Sequence, residues 1–522
     1  SLLSSRVVKM NFFKKLGKAK KVAEEVVGVL DEAMKNAPIF FAVSTGNIDA
    51  LCRAYADGES LTVVDMTGNN ILHVAVQKKN RSMVRAVLVL SYDLQLWDKK
   101  NEAGKTPLDL ATKELREDIA IFQSDKEVRG VGCDWKRNTE LVEEKMDMDD
   151  VSNEHVLLSL DGGGIKGLLE LQTMLLIERR LGIPLMGVVD WIAGTSTGSI
   201  IALVLAQGRS VQWAHQLYFR LGSIIFKKGD SYVPKYSSKN LEECLIEHIG
   251  TASLASIQSI KVVVTASKID TSPPSLLLLR SYIPRVPNVV YAAEGFLDPE
   301  RTPIWKAARC SSAAPIYFTS CNGLADGALC TNNPCAVLLS DFYRMKKIEN
   351  LNGVRNDDHI HCIISLGTGQ DPRQAQPVDV SLNSFSPNAL LDTIKKSTNL
   401  IQMFIMQCVS SDGPAVEYSK EWAHSHDFPF FRIQPILDKK VPLDEKRSAI
   451  LMDIIWQTEV HNRTRIPHVI NQIIELFRAI HTKRGINNNF NPGAEKEAEK
   501  TPRTETVAST RECSSTSSKR EK

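Results

Sequence analysis

The stretch HVLLSLDGGGIKGLLELQTMLLI, His155 to Ile177, decides the fold class. Its first six residues are an apolar run of strand length, Asp161 to Gly167 form a glycine-rich turn, and the rest reads as an apolar helix. Strand, tight turn and helix in that order make an α/β unit. Glycines 162, 163, 164 and 167 let the backbone approach another group closely, and a new helix aims its first N–H groups at whatever sits there. Such a loop suits a phosphate or any other anion. Residues 162–167 also satisfy the G-x-G-x-x-G pattern of dinucleotide sites, which alone is a weak lead.

A second motif changes that balance. Val188-Val-Asp-Trp-Ile-Ala193 reads as a buried strand, Gly194-Thr-Ser-Thr-Gly198 satisfies G-x-S-x-G, and an apolar helix runs from Ser199 to Ala206. The flanking glycines, Gly194 and Gly198, leave room for a sharp turn that exposes Ser196 at a helix N-terminus. The uncharged run from Trp191 to Gly208 has the length of a membrane span, but its Gly-Thr-Ser-Thr-Gly-Ser interior favours a buried strand turning into a buried helix. Taken together the two motifs describe one site. Ser196 supplies a nucleophile, and the glycine loop supplies backbone donors for a tetrahedral oxyanion. The residues alone do not choose a base among 61 acids and 11 histidines, and Asp326-Gly327-Ala328 is on this evidence an ordinary turn.

Bulk properties narrow the class. A chain of 522 residues exceeds what one core usually organises, so two or three domains are expected. A net charge of +3, on 64 basic and 61 acidic residues, carries no footprint for nucleic acid. The ten cysteines include no CxxC pair and no histidine cluster joins them, so no metal site and no cofactor are expected. A reduced, cytoplasmic setting follows, with neither a secretory leader nor a membrane span.

Along the chain, residues 1–36 read as a basic amphipathic helix, with Phe12, Leu16, Ala19, Ala23, Val26 and Leu30 on one face. It suits an anionic membrane surface and equally well a neighbouring domain. Over 37–125 a near-repeat appears: Ala37-Pro-Ile-Phe-Phe-Ala42, Asn70-Ile-Leu-His-Val-Ala75 and Thr106-Pro-Leu-Asp-Leu-Ala111. This resembles a short all-α array of ankyrin repeats, for which a scaffolding role is favoured over a peptide groove. Residues 126–153 are charged and weakly periodic, and read as a linker. Strands and helices then alternate, with strands at His155–Leu160, Val188–Ala193, Lys261–Ala266 and Ile360–Leu366, as in a layered α/β domain over 154–345 completed by 346–485. Ile466, Val469, Ile473, Phe477 and Ile480 line one side of 463–484, either a calmodulin-type target helix or, the favoured reading, a last core element. Residues 486–522 have the composition of a disordered tail.

The order Asp161-Gly-Gly-Gly-Ile-Lys-Gly167, Gly194-Thr-Ser-Thr-Gly198, Asp326-Gly-Ala328 and Asn332-Asn-Pro334 resembles the patatin-like phospholipases. The resemblance extends through Trp305–Arg309, Ser312–Phe318 and Ser365–Gly369, and with the upstream repeats it is similar to the group VI calcium-independent phospholipase A2 branch. It covers roughly residues 37–480, although the repeat region is shorter than that branch's usual array. The family implies a mostly parallel sheet flanked by helices and a Ser196–Asp326 dyad. It places Gly162, Gly163 and Gly164 around the oxyanion, with Gly167, Gly194, Gly198 and Gly327 as motif support. Its implied substrate is a glycerophospholipid at a membrane surface, cleaved at sn-2 without metal by a peripheral membrane protein, with a second copy of the chain as a further candidate partner.

An aspartate near its ordinary pKa of about 4 is a poor base for a hydroxyl, so the dyad needs proton transfer concerted with attack and strong oxyanion stabilisation. Lys166 is one source of extra positive charge, although an exposed, solvated lysine is the plainer expectation. Three rivals stand beside this reading. A histidine triad would draw on His359, His361, His424 or His426; an oxidoreductase would use Asp190 for a ribose; an inert scaffold would use the repeats alone.

Overall fold

The computed structural model describes residues 38–123, 130–226, 234–372 and 412–485. The basic helix expected over 1–36 and the tail expected over 486–522 lie outside the described residues.

Seven strands form one sheet: β1 (Glu154–Leu160), β2 (Trp191–Gly194), β3 (Lys261–Lys268), β4 (Ser275–Arg280), β5 (Leu324–Asp326), β6 (His359–Leu366) and β7 (Phe430–Ile433). Their order is β4-β3-β2-β1-β6-β7, with β5 paired to β3 off this path. β3, β2, β1, β6 and β7 run parallel, and β4 and β5 are antiparallel to β3. Helices cover both faces, which is why β1, β3 and β6 are nearly continuous apolar runs. This is the layered, mostly parallel α/β architecture read from the sequence.

The register places the site. Leu160, the last residue of β1, pairs with Gly194 of β2 and with Leu366 of β6, so the loops that follow all three strands leave the sheet at one edge. β2 stops at Gly194, opposite Val264, while β3 continues to Lys268. Over Ala266 to Lys268 the vacated edge of β3 is taken by β5, and Asp326 pairs with Ala266. The third strand residue of a three-residue strand is thereby set beside the turn after β2.

The helix Thr197–Ala206 is buried along its whole length, as expected for the uncharged run. Burying side chains such as Ile201, Leu203 and Val204 contributes roughly 1.5–3 kcal/mol each, enough to hold a strained residue at its start. Among the described residues no helix is long and apolar enough to cross a membrane.

Upstream, the near-repeat corresponds to three helical pairs, beginning at Pro38, Ile71 and Pro107. Asn70 and Thr106 cap the second and third with reciprocal capping boxes, and the His73 ring bonds the Lys105 carbonyl at 2.9 Å across to the next pair. These helices pack on the sheet domain through Tyr55, whose hydroxyl meets His215 Nδ1 at 2.8 Å, and through Phe122 against Trp456. Repeats and sheet share one core.

One expectation changes. The segment read as a linker carries the helix Cys133–Asp147, whose Leu141 and Val142 are buried; only a few apolar residues in fifteen hold it, too few for clear periodicity. The stretch 463–484 is a π-turn followed by the helix Pro467–Lys483, and Ile470, Ile473, Phe477 and Ile480 on it are buried in the core.

Candidate active site

The turn after β2 holds Ser196 at φ 53° and ψ −117°, a backbone conformation that costs a non-glycine residue on the order of 1–3 kcal/mol. Gly198 makes the turn fit: a Cβ there would lie 2.4 Å from the Leu160 carbonyl oxygen. Gly194 closes β2 beneath it. Ser196 N-caps a ten-residue buried helix, so its Oγ sits where partial positive charge favours an anion.

Ser196 Oγ donates to Asp326 Oδ2 at 2.7 Å. The other carboxylate oxygen of Asp326 accepts the Ala328 N–H at 2.9 Å, across Gly327, which packs against Thr265. Burial pushes the Asp326 carboxyl up to about 6, against the opposing pull of these two hydrogen bonds. Asp326 is therefore a better proton acceptor than an ordinary carboxylate.

One short segment fixes both residues. Ser311, the last residue of the helix Ile304–Ser311, accepts the Ser196 N–H on its Oγ at 2.8 Å, and two residues later the Ala313 carbonyl accepts the Asp326 N–H at 3.1 Å. Sequence reasoning missed Ser311, although it lies between the quoted segments Trp305–Arg309 and Ser312–Phe318.

The glycine loop lies alongside. Gly162, expected among the oxyanion donors, gives its N–H to the Asn332 carbonyl at 3.0 Å, while its own carbonyl accepts Asn332 Nδ2 at 3.1 Å and Thr368 Oγ1 at 3.0 Å. Its peptide anchors the loop, and its N–H is engaged. Among the described residues the N–H groups of Gly163 and Gly164 have no such partner, and both residues line the cavity with Ser196 and Asp326. Gly164 has φ +60°, and a Cβ there would lie 2.4 Å from the Leu443 carbonyl oxygen. Gly167 begins the helix Gly167–Leu181, packed against Thr197 and Tyr218. Beneath the loop Asp161 is fully buried and pairs with Arg432 at 2.7 Å, and its N–H donates to Glu170 at 2.7 Å.

Lys166 departs from expectation. It is 5% exposed, and its Nζ lies 3.5 Å from Asp371; burial lowers its pKa despite that partner. The tight turn carries the side chain inward, where it is paired rather than solvated.

The cavity holds about 380 Å³ and is lined almost wholly by apolar groups, among them Ile165, Ile200, Leu221, Phe226, Tyr317 and Leu443. Among the described residues no histidine lines it. His359 and His361 lie at the start of β6, level with Glu154 and His155 at the sheet's other edge, and His361 pairs with Glu154 at 3.2 Å. His424 and His426 end the helix Pro414–Ser425, where His426 packs on Tyr343. Asp190 precedes β2, and its carboxylate accepts the Val156 N–H and Arg484, each at 2.7 Å, far along the strand from the glycine loop. The triad and the ribose site thus lack their geometry. Among the described residues no three His, Cys, Asp or Glu side chains converge as a metal site.

This arrangement can do one kind of chemistry well: attack by an activated hydroxyl on a carbonyl delivered through an apolar cavity. Residues 158–339, which contain the glycine loop, Ser196 and Asp326, match the family model of the patatin-like phospholipases. The chain is 32% identical over 324 residues to an intracellular phospholipase A2 of Caenorhabditis elegans, covering 62% of this chain and 29% of that protein. It is 32% identical over 327 residues to the 85/88 kDa calcium-independent phospholipase A2 of Rattus norvegicus, covering 59% of this chain and 39% of the relative. A calcium-independent phospholipase A2-gamma of Homo sapiens is 28% identical over 316 residues, 56% of this chain and 36% of the relative. The chain thus spans well under half the length of these relatives. Over residues 158–339 the chain is thus similar to the patatin-like phospholipases, and over about 60% of its length it is similar to phospholipases A2 that include calcium-independent ones.

Proposed function

We propose that the chain is a calcium-independent phospholipase that cleaves glycerophospholipid acyl esters, at sn-2, through Ser196 and Asp326. The observation that carries this reading is the 2.7 Å contact between Ser196 Oγ and the buried Asp326 carboxylate on the wall of an apolar cavity. Support also comes from the relatives' names as phospholipases A2.

In the proposed reaction the acyl chain lies along the apolar lining. Ser196 Oγ attacks the ester carbonyl while its proton passes to Asp326, and the N–H groups of Gly163 and Gly164 hold the carbonyl oxygen as it becomes negative. Asp326 returns the proton to the departing lysophospholipid, and water then hydrolyses the acyl-enzyme. Asp161, Arg432 and the Gly162 peptide keep the loop in place.

Three expected outcomes bear on these roles. Asp326 must be ionised to accept the proton, so kcat/KM should fall as pH drops through about 6 and level off above it, read from a pH–rate profile. Gly164→Ala sets a Cβ against Leu443 in a left-handed backbone, and should lower kcat by about 10²–10³-fold by displacing an oxyanion donor. Ser311→Ala leaves the Ser196 N–H unpaired, and should lower kcat about ten-fold with KM nearly unchanged in steady-state assays.

The reading as a whole is tested with vesicles of a phospholipid carrying distinguishable sn-1 and sn-2 chains, in excess chelator. Release of the sn-2 chain at undiminished rate is the expected result. Release of sn-1 alone would correct the position; activity abolished by the chelator would contradict the metal-free mechanism.

A further inference from the structure

Cys310 and Cys321 bracket the segment that holds the dyad together. Cys310 precedes Ser311, the acceptor of the Ser196 N–H. Cys321 exchanges two backbone hydrogen bonds with Leu324, at 2.8 and 3.0 Å, and so anchors the start of the strand that carries Asp326. Between them Ser312, Ala314, Pro315, Ile316, Tyr317 and Phe318 form one wall of the cavity. The two cysteines are free, with Cys310 buried and Cys321 partly accessible. The Cys310 Sγ lies 3.8 Å from the Cys321 carbonyl oxygen, which sets the two cysteines side by side.

The surroundings single out Cys321 as the reactive member. Its thiol pKa is lowered first by the hydrogen bond from Cys310, against burial, and then by the charges of Arg309 and Lys306. Arg309 is fixed there by Glu242 at 3.0 Å and by the Thr319 carbonyl at 2.9 Å. The Cys310 thiol is shifted upward by the neighbouring Cys321 and by burial. An accessible low-pKa thiol with a second thiol in contact is the arrangement that peroxides convert to a disulfide.

We propose that Cys310 and Cys321 are an oxidative modification site, crosslinked by a hydroperoxide, and that the crosslink disturbs the segment holding Ser196 and Asp326. The Cys321 thiolate attacks the O–O bond of the hydroperoxide, giving a sulfenic acid and, with a proton, the alcohol or water. The Cys310 sulfur then attacks the Cys321 sulfur; its proton and the sulfenic hydroxyl leave as water. Two thiols lose two electrons, and the peroxide gains them. To reach an S–S length of about 2.05 Å the Cys310 sulfur must leave the Cys321 carbonyl and close on the Cys321 sulfur, which draws Cys310 and the adjoining Ser311 away from their present positions. The effect on turnover rests on the hydrolase reading above, whereas crosslinking does not.

The test treats the full chain with hydrogen peroxide, then alkylates and maps peptides by mass spectrometry. A 310–321 crosslink should form, turnover should fall on the order of ten-fold, and dithiothreitol should restore it. Hydrogen exchange at the amides of Ser196 and Asp326 should rise in the crosslinked protein, a readout that does not need catalysis. Cys321→Ser should keep its activity under the same treatment. In Cys310→Ser the lone Cys321 should proceed to sulfinic acid, beyond rescue by dithiothreitol. The proposal is overturned if both thiols stay alkylatable while the exposed Cys133 and Cys330 are oxidised, or if the crosslink forms with exchange and turnover unchanged.

Discussion

Ser196→Ala should reduce phospholipid hydrolysis on the order of 10⁴-fold or more, because it removes the proposed nucleophile and leaves only binding and the proposed oxyanion donors. The side chain is small, the backbone strain lies in φ and ψ, and alanine tolerates that turn no worse than serine. Thermal stability should therefore change little, so lost activity with an intact melting transition separates a chemical role from a folding role. A residual rate within ten-fold of wild type would remove Ser196 as nucleophile.

Asp326→Asn should be almost as damaging to turnover, on the order of 10³-fold or more, since an amide keeps the shape and can still accept from Ser196 but takes up no proton. Stability should move the other way. The folded pKa of Asp326 lies at about 6, above its ordinary 3.8, so the folded state binds this proton more tightly than the unfolded chain does. Burying the ionised carboxylate thus costs stability, a cost that develops as pH rises from about 4 to about 6 and is complete above that. Asparagine carries no such cost, so above pH 6 the variant should be the more stable protein by an amount on the order of 3 kcal/mol, with the difference vanishing below pH 4. Urea denaturation at pH 4 and pH 7.5 reads both ends of that range. A variant less stable than wild type at both would mean that Asp326 supports the fold through its charge.

How much of this is legible in the sequence follows from where each signal resides. The glycine loop and the serine turn are local devices, and their glycines and small residues are visible wherever the chain is read. The proposed base is different. Asp326 reaches Ser196 only because β2 ends at Gly194 while β3 runs on, so that a three-residue antiparallel strand fills the gap. Nothing near Asp326 in sequence reports this, and only the resemblance to a family proposed it.

The same holds for the supports. Arg432 beneath Asp161, Thr368 on the Gly162 carbonyl and Leu443 over Gly164 come from separate connections of the C-terminal half. No motif announces Arg432 or Leu443, and Thr368 lies in the segment Ser365–Gly369 with nothing local to report its contact with Gly162. Gly162 and Lys166 show the limit from within a motif: spacing places them on the loop, but whether an N–H is free or an ammonium is buried depends on Asn332 and Asp371, far along the chain. The repeat helices were visible through their starts, because capping residues such as Asn70 and Thr106 are local too.

The most direct measurement is the site of covalent labelling by a fluorophosphonate, mapped by peptide mass spectrometry in wild type, Ser196→Ala and Asp326→Asn. The dyad requires a single adduct on Ser196 in wild type, none in Ser196→Ala, and labelling slowed by orders of magnitude in Asp326→Asn. An adduct on any other residue, or equal labelling of all three proteins, would contradict it.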